Sequence, residues 1–360
     1  MESDILIFHP DITTHKKSSF YTSQIYTTLA ELYTVKSFEW SIFRLNNKKI
    51  KIIFLFWFEN LIGNPNNYLL QKIQYFLKIK YLRLAKLKGK KIVYGLHNRA
   101  PHNLDLNNAS IANLYERFIK EAIGISDSII VINTKTLEFF KETYGIDMDS
   151  KKVTHVPLGT TVPTRIERDK YRNRYNITDD DFFVGCIGRV ERYKNIDLAI
   201  TAFIKSNIPG KFIVAGKVDE GYEQELRSLA NNNPNIIFDF RFLSDDEMIG
   251  LSQALDLMVL SYEKTSANSG VLIDAFLNRT NVLAYKFDLL YDYPEDCYYS
   301  YDYSDRDDHL DKLINGLQNA ESEFHNDRKL YYSKCNRLKA VCESLNTWDN
   351  VKSKLIEAIN

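Results

Sequence analysis

Two loop-length segments carry the residue types that hold anions. The first, Cys186-Ile187-Gly188-Arg189-Val190-Glu191-Arg192-Tyr193-Lys194-Asn195, follows an apolar β-type run and precedes a helical run that opens near Ile196. Gly188 lets a ligand approach the backbone closely. Arg189 and Lys194 bring two cations to a strand-to-helix passage, which is where open α/β sheets bind phosphates. The segment contains neither Gly-x-Gly-x-x-Gly nor Gly-Lys-Ser/Thr, so it is not a dinucleotide fingerprint or a Walker loop. An exposed basic loop is the equal alternative. The second segment, Ser261-Tyr262-Glu263-Lys264-Thr265-Ser266-Ala267-Asn268-Ser269-Gly270, lies between a run ending near Leu260 and a helical run from Val271 to Leu277. Its small residues at a helix start leave backbone N–H groups uncovered for an anion, the alternative being that Ser269 simply caps the helix. Since both loops follow strands of parallel type, they are expected at the C-terminal edge of one sheet, at the two ends of a single diphosphate.

Two segments of the first half end strands in the same way. Gly95-Leu96-His97-Asn98-Arg99-Ala100-Pro101-His102 follows Ile92 to Tyr94, and Trp57-Phe58-Glu59-Asn60 follows Ile52 to Phe56. A lone histidine is ordinarily a hydrogen-bonded structural residue. Glu59, the one acid among many cations, reads equally as an acceptor-side general base or as a salt-bridge partner of the neighbouring lysines.

These loops need strands and helices to hold them. Ile5 to His9, Ile52 to Phe56, Ile92 to Tyr94, Ser128 to Ile132 and Val153 to Val156 read as strands in the first half. In the second half, Phe182 to Ile187, Phe212 to Ala215, Ile236 to Phe240, Leu257 to Leu260 and Val282 to Tyr285 do so more cleanly. Helical stretches separate them, which is the rhythm of parallel βα units. The 360 residues suit two domains. The join is expected after Pro157-Leu158-Gly159, giving domains over 1–160 and 161–335, with helix alone from about Asp307 onward.

Read in order, Gly188-Arg189 with Lys194, Ala215-Gly216-Lys217, Ser244-Asp245-Asp246-Glu247, Ala254-Leu255-Asp256, Glu263 and Asp274 form a series across the second half. It resembles the nucleotide-sugar glycosyltransferases of the GT-B fold, nearest glycosyltransferase family four. The resemblance implies an α/β chain of two Rossmann-like, doubly wound parallel-sheet domains facing a central cleft. Residues 336–360 would then pack back on the first domain. It implies that Arg189 and Lys194 neutralise the donor diphosphate, that Glu263 touches the sugar, and that Asp274 holds the ribose hydroxyls. Gly188, Gly216, Lys217, Ser266, Asn268, Ser269 and Gly270 would complete the donor site, with the Ser-Gly pair at the pyrophosphate. His97, a better match than His102, would contact the donor sugar. The family's two glutamates stand eight apart, whereas Glu263 and Asp274 stand eleven apart and the second is aspartate. Retention of anomeric configuration is a further implication. A non-catalytic nucleotide-sugar binder and a GT-B sugar-nucleotide epimerase share the scaffold and are the alternative classes.

Composition excludes other classes. With 44% hydrophobic and 26% charged residues, 14 Gly and 8 Pro, the chain is neither disordered nor collagen-like. Its four cysteines, Cys186, Cys297, Cys335 and Cys342, contain no C-x-x-C pair and point to a reducing compartment, hence the cytoplasm. The N-terminal residues lack a basic region followed by a long apolar one, so export is not expected. Net charge is zero, yet residues 1–160 carry 22 Lys and Arg against 14 Asp and Glu, and the remainder 25 against 33. Twelve of those cations, against Glu59 alone, fall within residues 41–91. Asn67 to Lys88 reads as a basic amphipathic helix, with Leu69, Leu70, Ile73, Phe76, Leu77, Leu84 and Leu87 as its apolar stripe. We expect Leu69, Ile73 and Leu84 to pack in the core, while Lys72, Lys80, Arg83 and Lys86 meet the anionic inner face of a membrane. The partners expected are a nucleotide-sugar donor and a glycan or polyprenyl-diphosphate-linked glycan, and not nucleic acid.

The acidic runs Asp179-Asp180-Asp181 and Asp305-Arg306-Asp307-Asp308 read as a turn and a helix cap, so neither a metal site nor any other cofactor is expected. Activity is accordingly expected to persist in full when divalent cations are chelated; its abolition by chelator would show that a metal carries the leaving-group charge.

Overall fold

The computed structural model describes residues 4–10, 20–60, 67–97, 99, 104, 108–147, 152–160, 162–163, 165, 167–263 and 268–360. The chain divides into two compact units, residues 1–159 with 348–360, and residues 160–347.

The first unit runs β1 (Ile5–His9), α1 (Phe20–Ala30), β2 (Thr34–Ser37), β3 (Ile50–Phe56), α2 (Tyr68–Leu87), β4 (Lys91–Leu96), α3 (Ala109–Ile125), β5 (Ser128–Val131), α4 (Thr134–Tyr144) and β6 (Lys152–His155). Its sheet is parallel, in the order β2-β1-β3-β4-β5-β6. The inner strands are buried on both faces, as a sheet covered by helices on each side requires. Ile53, Leu55, Ile92, Tyr94, Ile129 and Val131 form one core with Tyr75, Leu82, Phe118 and Ile119 from α2 and α3. There the Tyr75 and Phe118 rings stack at 4.2 Å. Asn67, Asn108 and Asn133 cap α2, α3 and α4 by accepting hydrogen bonds from first-turn N–H groups.

The second unit runs α5 (Arg168–Arg174), β7 (Phe183–Ile187), α6 (Ile196–Ser206), β8 (Lys211–Ala215), α7 (Tyr222–Ala230), β9 (Ile236–Asp239), α8 (Asp245–Ala254), β10 (Leu257–Leu260), α9 (Gly270–Leu277), β11 (Asn281–Tyr285), β12 (Tyr299–Tyr301), α10 (Arg306–Asn326) and α11 (Arg328–Leu345). Its sheet, also parallel, has the order β12-β11-β10-β7-β8-β9. The order reverses at the β7/β10 seam. Asp256 closes that seam: its N–H donates to Phe183 O (2.8 Å) and its carboxylate accepts from Phe183 N (2.9 Å), Arg172 Nη1 (3.0 Å) and Arg168 Nη2 (2.7 Å). The Asp256 side chain is wholly buried and that of Arg172 nearly so. Tyr331 of α11 donates to Asp256 O at 2.7 Å.

The last helix, α12 (Trp348–Ile359), belongs to the first unit and packs against β5 and β6. The Trp348 ring lies so close to Gly159 that a Cβ there would stand 2.7 Å from it. Each unit is thus a parallel sheet with covering helices, as the alternation of strand and helix in the sequence implied.

Three expectations are corrected. Strands β2 and β12 escaped the sequence reading. Both are short edge strands, Thr-Val-Lys-Ser and Tyr-Ser-Tyr, with too little apolar alternation to stand out. The stripe chosen on α2 also faces the wrong way. Leu69, Ile73, Phe76, Leu77 and Leu87 are exposed, while Gln71, Tyr75, Lys78, Ile79, Tyr81, Leu82 and Ala85 form the buried face. The core takes aromatic rings, a lysine stem and an amide there beside Ile79, Leu82 and Ala85, and Leu84 packs against it partly buried as expected, so the aliphatic stripe alone did not locate the core side. The expected packing of Leu69 and Ile73 in the core therefore fails. Asp305 does cap α10, and Asp181 accepts from Thr178 N (2.6 Å) in the turn before β7. All four cysteines are free and buried, and no described helix is long and apolar enough to cross a membrane.

Asp256→Ala would leave the Arg172 guanidinium buried without its carboxylate. It is expected to destabilise the second unit by about 3–5 kcal/mol, read as a lower denaturant midpoint; an unchanged midpoint would remove Asp256 as the seam's anchor.

Candidate functional site

The second sheet's switch point gathers most of the residues singled out in the sequence. Loops leaving the C-terminal ends of β7 and β10 meet there because those strands are neighbours whose helices depart to opposite sides, which opens a crevice between them. Gly188 ends β7 with φ +98, and Gly216 ends β8 with φ +140. A Cβ on Gly216 would lie 1.8 Å from Gly188 O, so only glycine permits the two turns to touch. Their backbones are tied by Gly188 N to Ala215 O (3.0 Å) and Val190 N to Lys217 O (2.9 Å). Lys217 itself is exposed.

Lys194 and Arg189 occupy different positions in this loop. Lys194 is buried, its Nζ donating to Arg189 O at 2.6 Å, with the Tyr193 and Tyr262 rings 6.0 and 5.9 Å away. The ammonium lies near Gly188, 3.9 Å from where a Cβ would stand. Burial pulls its pKa below the usual lysine value, with Glu191 opposing the shift. An anion reaching that ammonium would restore what burial has removed. Arg189 is 65% exposed and already paired with Glu191 (3.2 Å) and Asp219 (3.3 Å). The two cations expected to act alike thus differ, since Arg189 has carboxylate partners. Surface pairs of this kind are worth about 0–1 kcal/mol, so an incoming phosphate displaces them at little cost.

The β10 loop is latched to the β7 loop. Ser261 Oγ donates to Lys194 O (2.7 Å), Asn195 Nδ2 donates to Ser261 O (3.1 Å), and Glu263 N donates to Tyr193 O (3.0 Å). Glu263 is exposed at the end of this latch; Ser266 lies outside the described residues, and Asn268 is half-buried. Ser269 precedes α9 without capping it. Its Oγ lies 3.3 Å from the Tyr262 hydroxyl, so the cap alternative is set aside. Among the described residues nothing stands within 4 Å of a Cβ on Gly270, so none of them covers the first turn of α9 there. Val271 and Met248 flank Gly188, joining the helix start to the β7 turn.

Asp274 lies one turn into α9 and accepts a hydrogen bond from Thr160 Oγ1 at 2.9 Å. Burial pushes its carboxyl up to about 6, against the lowering effect of Thr160. Thr160, Ser261, Asn195 and Tyr262 did not stand out as site residues in the sequence. Three of them occur in the loops already quoted, but their role as ties depends on strand adjacency. Thr160 carries no local signal, since its partner is 114 residues away.

In the first unit, His97 follows β4 and is half-buried, its ring 4.5 Å from Trp57, 6.2 Å from Tyr21 and 6.5 Å from Phe56. Trp57 holds φ +49, a conformation a bulky residue rarely adopts, directly after β3. His9 ends β1, with Nδ1 2.7 Å from Phe56 O. Glu59 does not open to solvent: it is 3% exposed and accepts from Tyr94 OH at 2.9 Å. Lys78 donates to Phe58 O and Asn60 O on either side of it. Burial raises the Glu59 pKa, and Lys78 and the Tyr94 hydrogen bond oppose the rise. Enclosed in this way, Glu59 is a structural group and not a base exposed to an acceptor. His102 lies outside the described residues.

Among the described residues no cluster of His, Cys, Asp and Glu could hold a metal ion. The site brings together one desolvated ammonium, the start of α9 and a guanidinium paired with two surface carboxylates.

The same architecture recurs in solved structures. Anabaena HepE in complex with UDP superposes with a TM-score of 0.69 at 15% identity, over 100% of this chain and 99% of that one. Sucrose-phosphate synthase of Thermosynechococcus elongatus gives 0.66 at 14% identity, over 99% and 98%. The S. aureus enzyme TarM, in a complex that includes UDP, gives 0.59 at 14%, over 89% of this chain and 58% of that one. At such identities the likeness defines the fold, which is GT-B. No curated protein sequence matches the chain. Residues 167–322, which include the β7 and β10 loops, match the family described as glycosyl transferases group 1. The chain thus has the GT-B fold, and the greater part of its second unit is similar to the group 1 glycosyl transferases.

Thr160→Val removes the hydrogen bond that holds the Asp274 carboxyl down. Its titration midpoint, followed by carboxyl-carbon NMR, is expected to move above about 6; a midpoint that stays or falls would show that Thr160 does not act on this group.

Proposed function

We propose that the protein transfers a sugar from a nucleoside diphosphate sugar to a hydroxyl of a glycan or lipid-linked glycan, in the synthesis of a surface polysaccharide. The observation that carries this reading is the desolvated Lys194 ammonium beside the start of α9, at the switch point of a unit similar to the group 1 glycosyl transferases. The complexes of HepE with UDP and with UDP-glucose support a uridine nucleotide as the first donor to try.

The chemistry follows from where charge develops. As the bond from the anomeric carbon to the diphosphate oxygen breaks, negative charge accumulates on the leaving group, and the acceptor oxygen forms the new bond while its proton passes to the departing diphosphate oxygen. Lys194 sits where burial strengthens its interaction with that charge. The N–H groups at the start of α9 point in the same sense, and both are in place before the reaction begins. Arg189 exchanges Glu191 and Asp219 for an outer phosphate oxygen. In this reading the set does the work of a divalent metal. Lys217, Ser266 and Asn268 complete the phosphate and sugar contacts, Glu263 reaches the sugar from the β10 loop, and Asp274 takes the ribose hydroxyls. His97 contacts the donor sugar, and anomeric configuration is retained. The protein works in the cytoplasm, at the inner face of an anionic membrane where a polyprenyl-diphosphate acceptor is presented.

The difference between the two cations gives the test. Lys194→Ala is expected to weaken UDP binding roughly 10- to 100-fold, as loss of a buried charge-assisted contact should. Arg189→Ala should weaken it less than about fivefold. Calorimetric titration of both variants decides; equal small effects would mean that the diphosphate does not sit on this loop.

A further inference from the structure

The exposed side of α2 is unlike a solvated helix face. Leu69, Ile73, Phe76, Leu77 and Leu87 are 65, 49, 59, 54 and 84% exposed, and the spacing of three and four places them in one stripe along the helix. The buried residues Gln71, Tyr75, Lys78, Leu82 and Ala85 occupy the opposite side, so the stripe is no extension of the core. The short turn Ile42–Asn46 packs beside α2 and adds Ile42 and Phe43, 55 and 86% exposed. Soluble proteins seldom leave so much contiguous apolar surface without a partner.

The charges around the stripe identify the partner. Lys80 lies within it, its ammonium 5.3 Å from the Phe76 ring centre, and Lys72 and Lys88 flank it, all three exposed. None of the three has a carboxylate partner among the described residues. Arg83 and Lys86, towards the core side, are paired with Glu121 and Asp127. A second copy of the chain on this face would set these free ammonium groups against their own images. An anionic bilayer takes both features, apolar side chains below the headgroups and lysines among them. Tyr68 and Trp40, 45 and 48% exposed, are the aromatic types that favour such an interface.

We infer that α2, together with the Ile42–Asn46 turn, is a membrane-inserting surface that lies in the plane of an anionic leaflet with Leu69, Ile73, Phe76, Leu77 and Leu87 among the acyl chains. This deepens the reading of a lipid-linked acceptor, on which its purpose rests, by making the apolar stripe and not the lysine rim the anchor.

The test is co-sedimentation of the full chain with vesicles of phosphatidylcholine alone or in equal parts with phosphatidylglycerol, at low salt and at about 0.5 M salt, where the Debye length falls to roughly 4 Å. Wild type should pellet with the anionic vesicles and retain part of that binding at high salt. A Leu69→Ser, Ile73→Ser, Leu77→Ser variant should bind at least about tenfold less at either salt, and because these side chains are exposed its thermal midpoint should not fall. A Lys72→Gln, Lys80→Gln variant should lose only the salt-sensitive part. A serine variant that sediments like wild type overturns the inference, as does a wild-type dimer in sedimentation velocity that the serine variant abolishes. Nucleoside diphosphate release with a soluble glycan acceptor separates this from the transferase reading. Vesicle binding without turnover refutes the transferase and upholds the surface, and turnover without vesicle binding does the reverse.

Discussion

The second unit depends on one buried carboxylate. Asp256 directly precedes β10, and it bonds to the first residue of β7 through both its backbone and its side chain. Two arginines of α5 and a tyrosine of α11 converge on the same residue. A charge so enclosed is costly unless its oxygens are met, and here both carboxylate oxygens accept hydrogen bonds, one from Arg168 and the other from Arg172 and Phe183 N. The clamp therefore fixes which strand lies beside β7. Since β10 rather than β8 closes that side, the sheet acquires a switch point, and the crevice between its two loops follows.

From that adjacency the properties of the site can be derived in turn. The Ser261 hydroxyl and the Asn195 amide can reach across only because β7 and β10 are neighbours. Their latch brings Tyr262 and Tyr193 against Lys194 and takes the lysine out of water. Burial there lowers its pKa, with Glu191 opposing the shift. Arg189, five residues earlier in the same loop, keeps its carboxylate neighbours and its solvent. Two cations read alike in sequence thus differ in solvation, and solvation decides what each contributes.

The first unit handles a buried charge differently. Glu59 sits where β3 ends, and its environment is supplied by Tyr94 and by Lys78 of α2, whose ammonium is occupied with the flanking carbonyls. Tyrosines, a glutamine and a lysine stem join Ile79, Leu82 and Ala85 on the inner side of α2, while Leu69, Ile73, Phe76, Leu77 and Leu87 remain on the outer side. A helix that is apolar on both sides has hydrophobic surface left for association after folding.

What the sequence determined by itself is the order of elements and the chemistry of the loops. Strand-like runs alternating with helical ones sufficed for two parallel sheets, because strands buried on both faces are continuous apolar runs. Gly188, Lys194 and Gly270 were visible as residue types suited to an anion at a strand-to-helix passage. The edge strands β2 and β12 were not visible, since a strand paired on one side only needs little apolar content. Tertiary structure alone decided three things. It decided that Lys194 is desolvated while Arg189 is paired, because burial depends on which strand lies beside β7. It decided that Thr160 holds Asp274, because a contact spanning 114 residues has no local trace. And it decided which side of α2 faces the core, because periodicity gives the existence of two faces, whereas the neighbours Glu59, Tyr94 and Phe118 decide which face is turned inward.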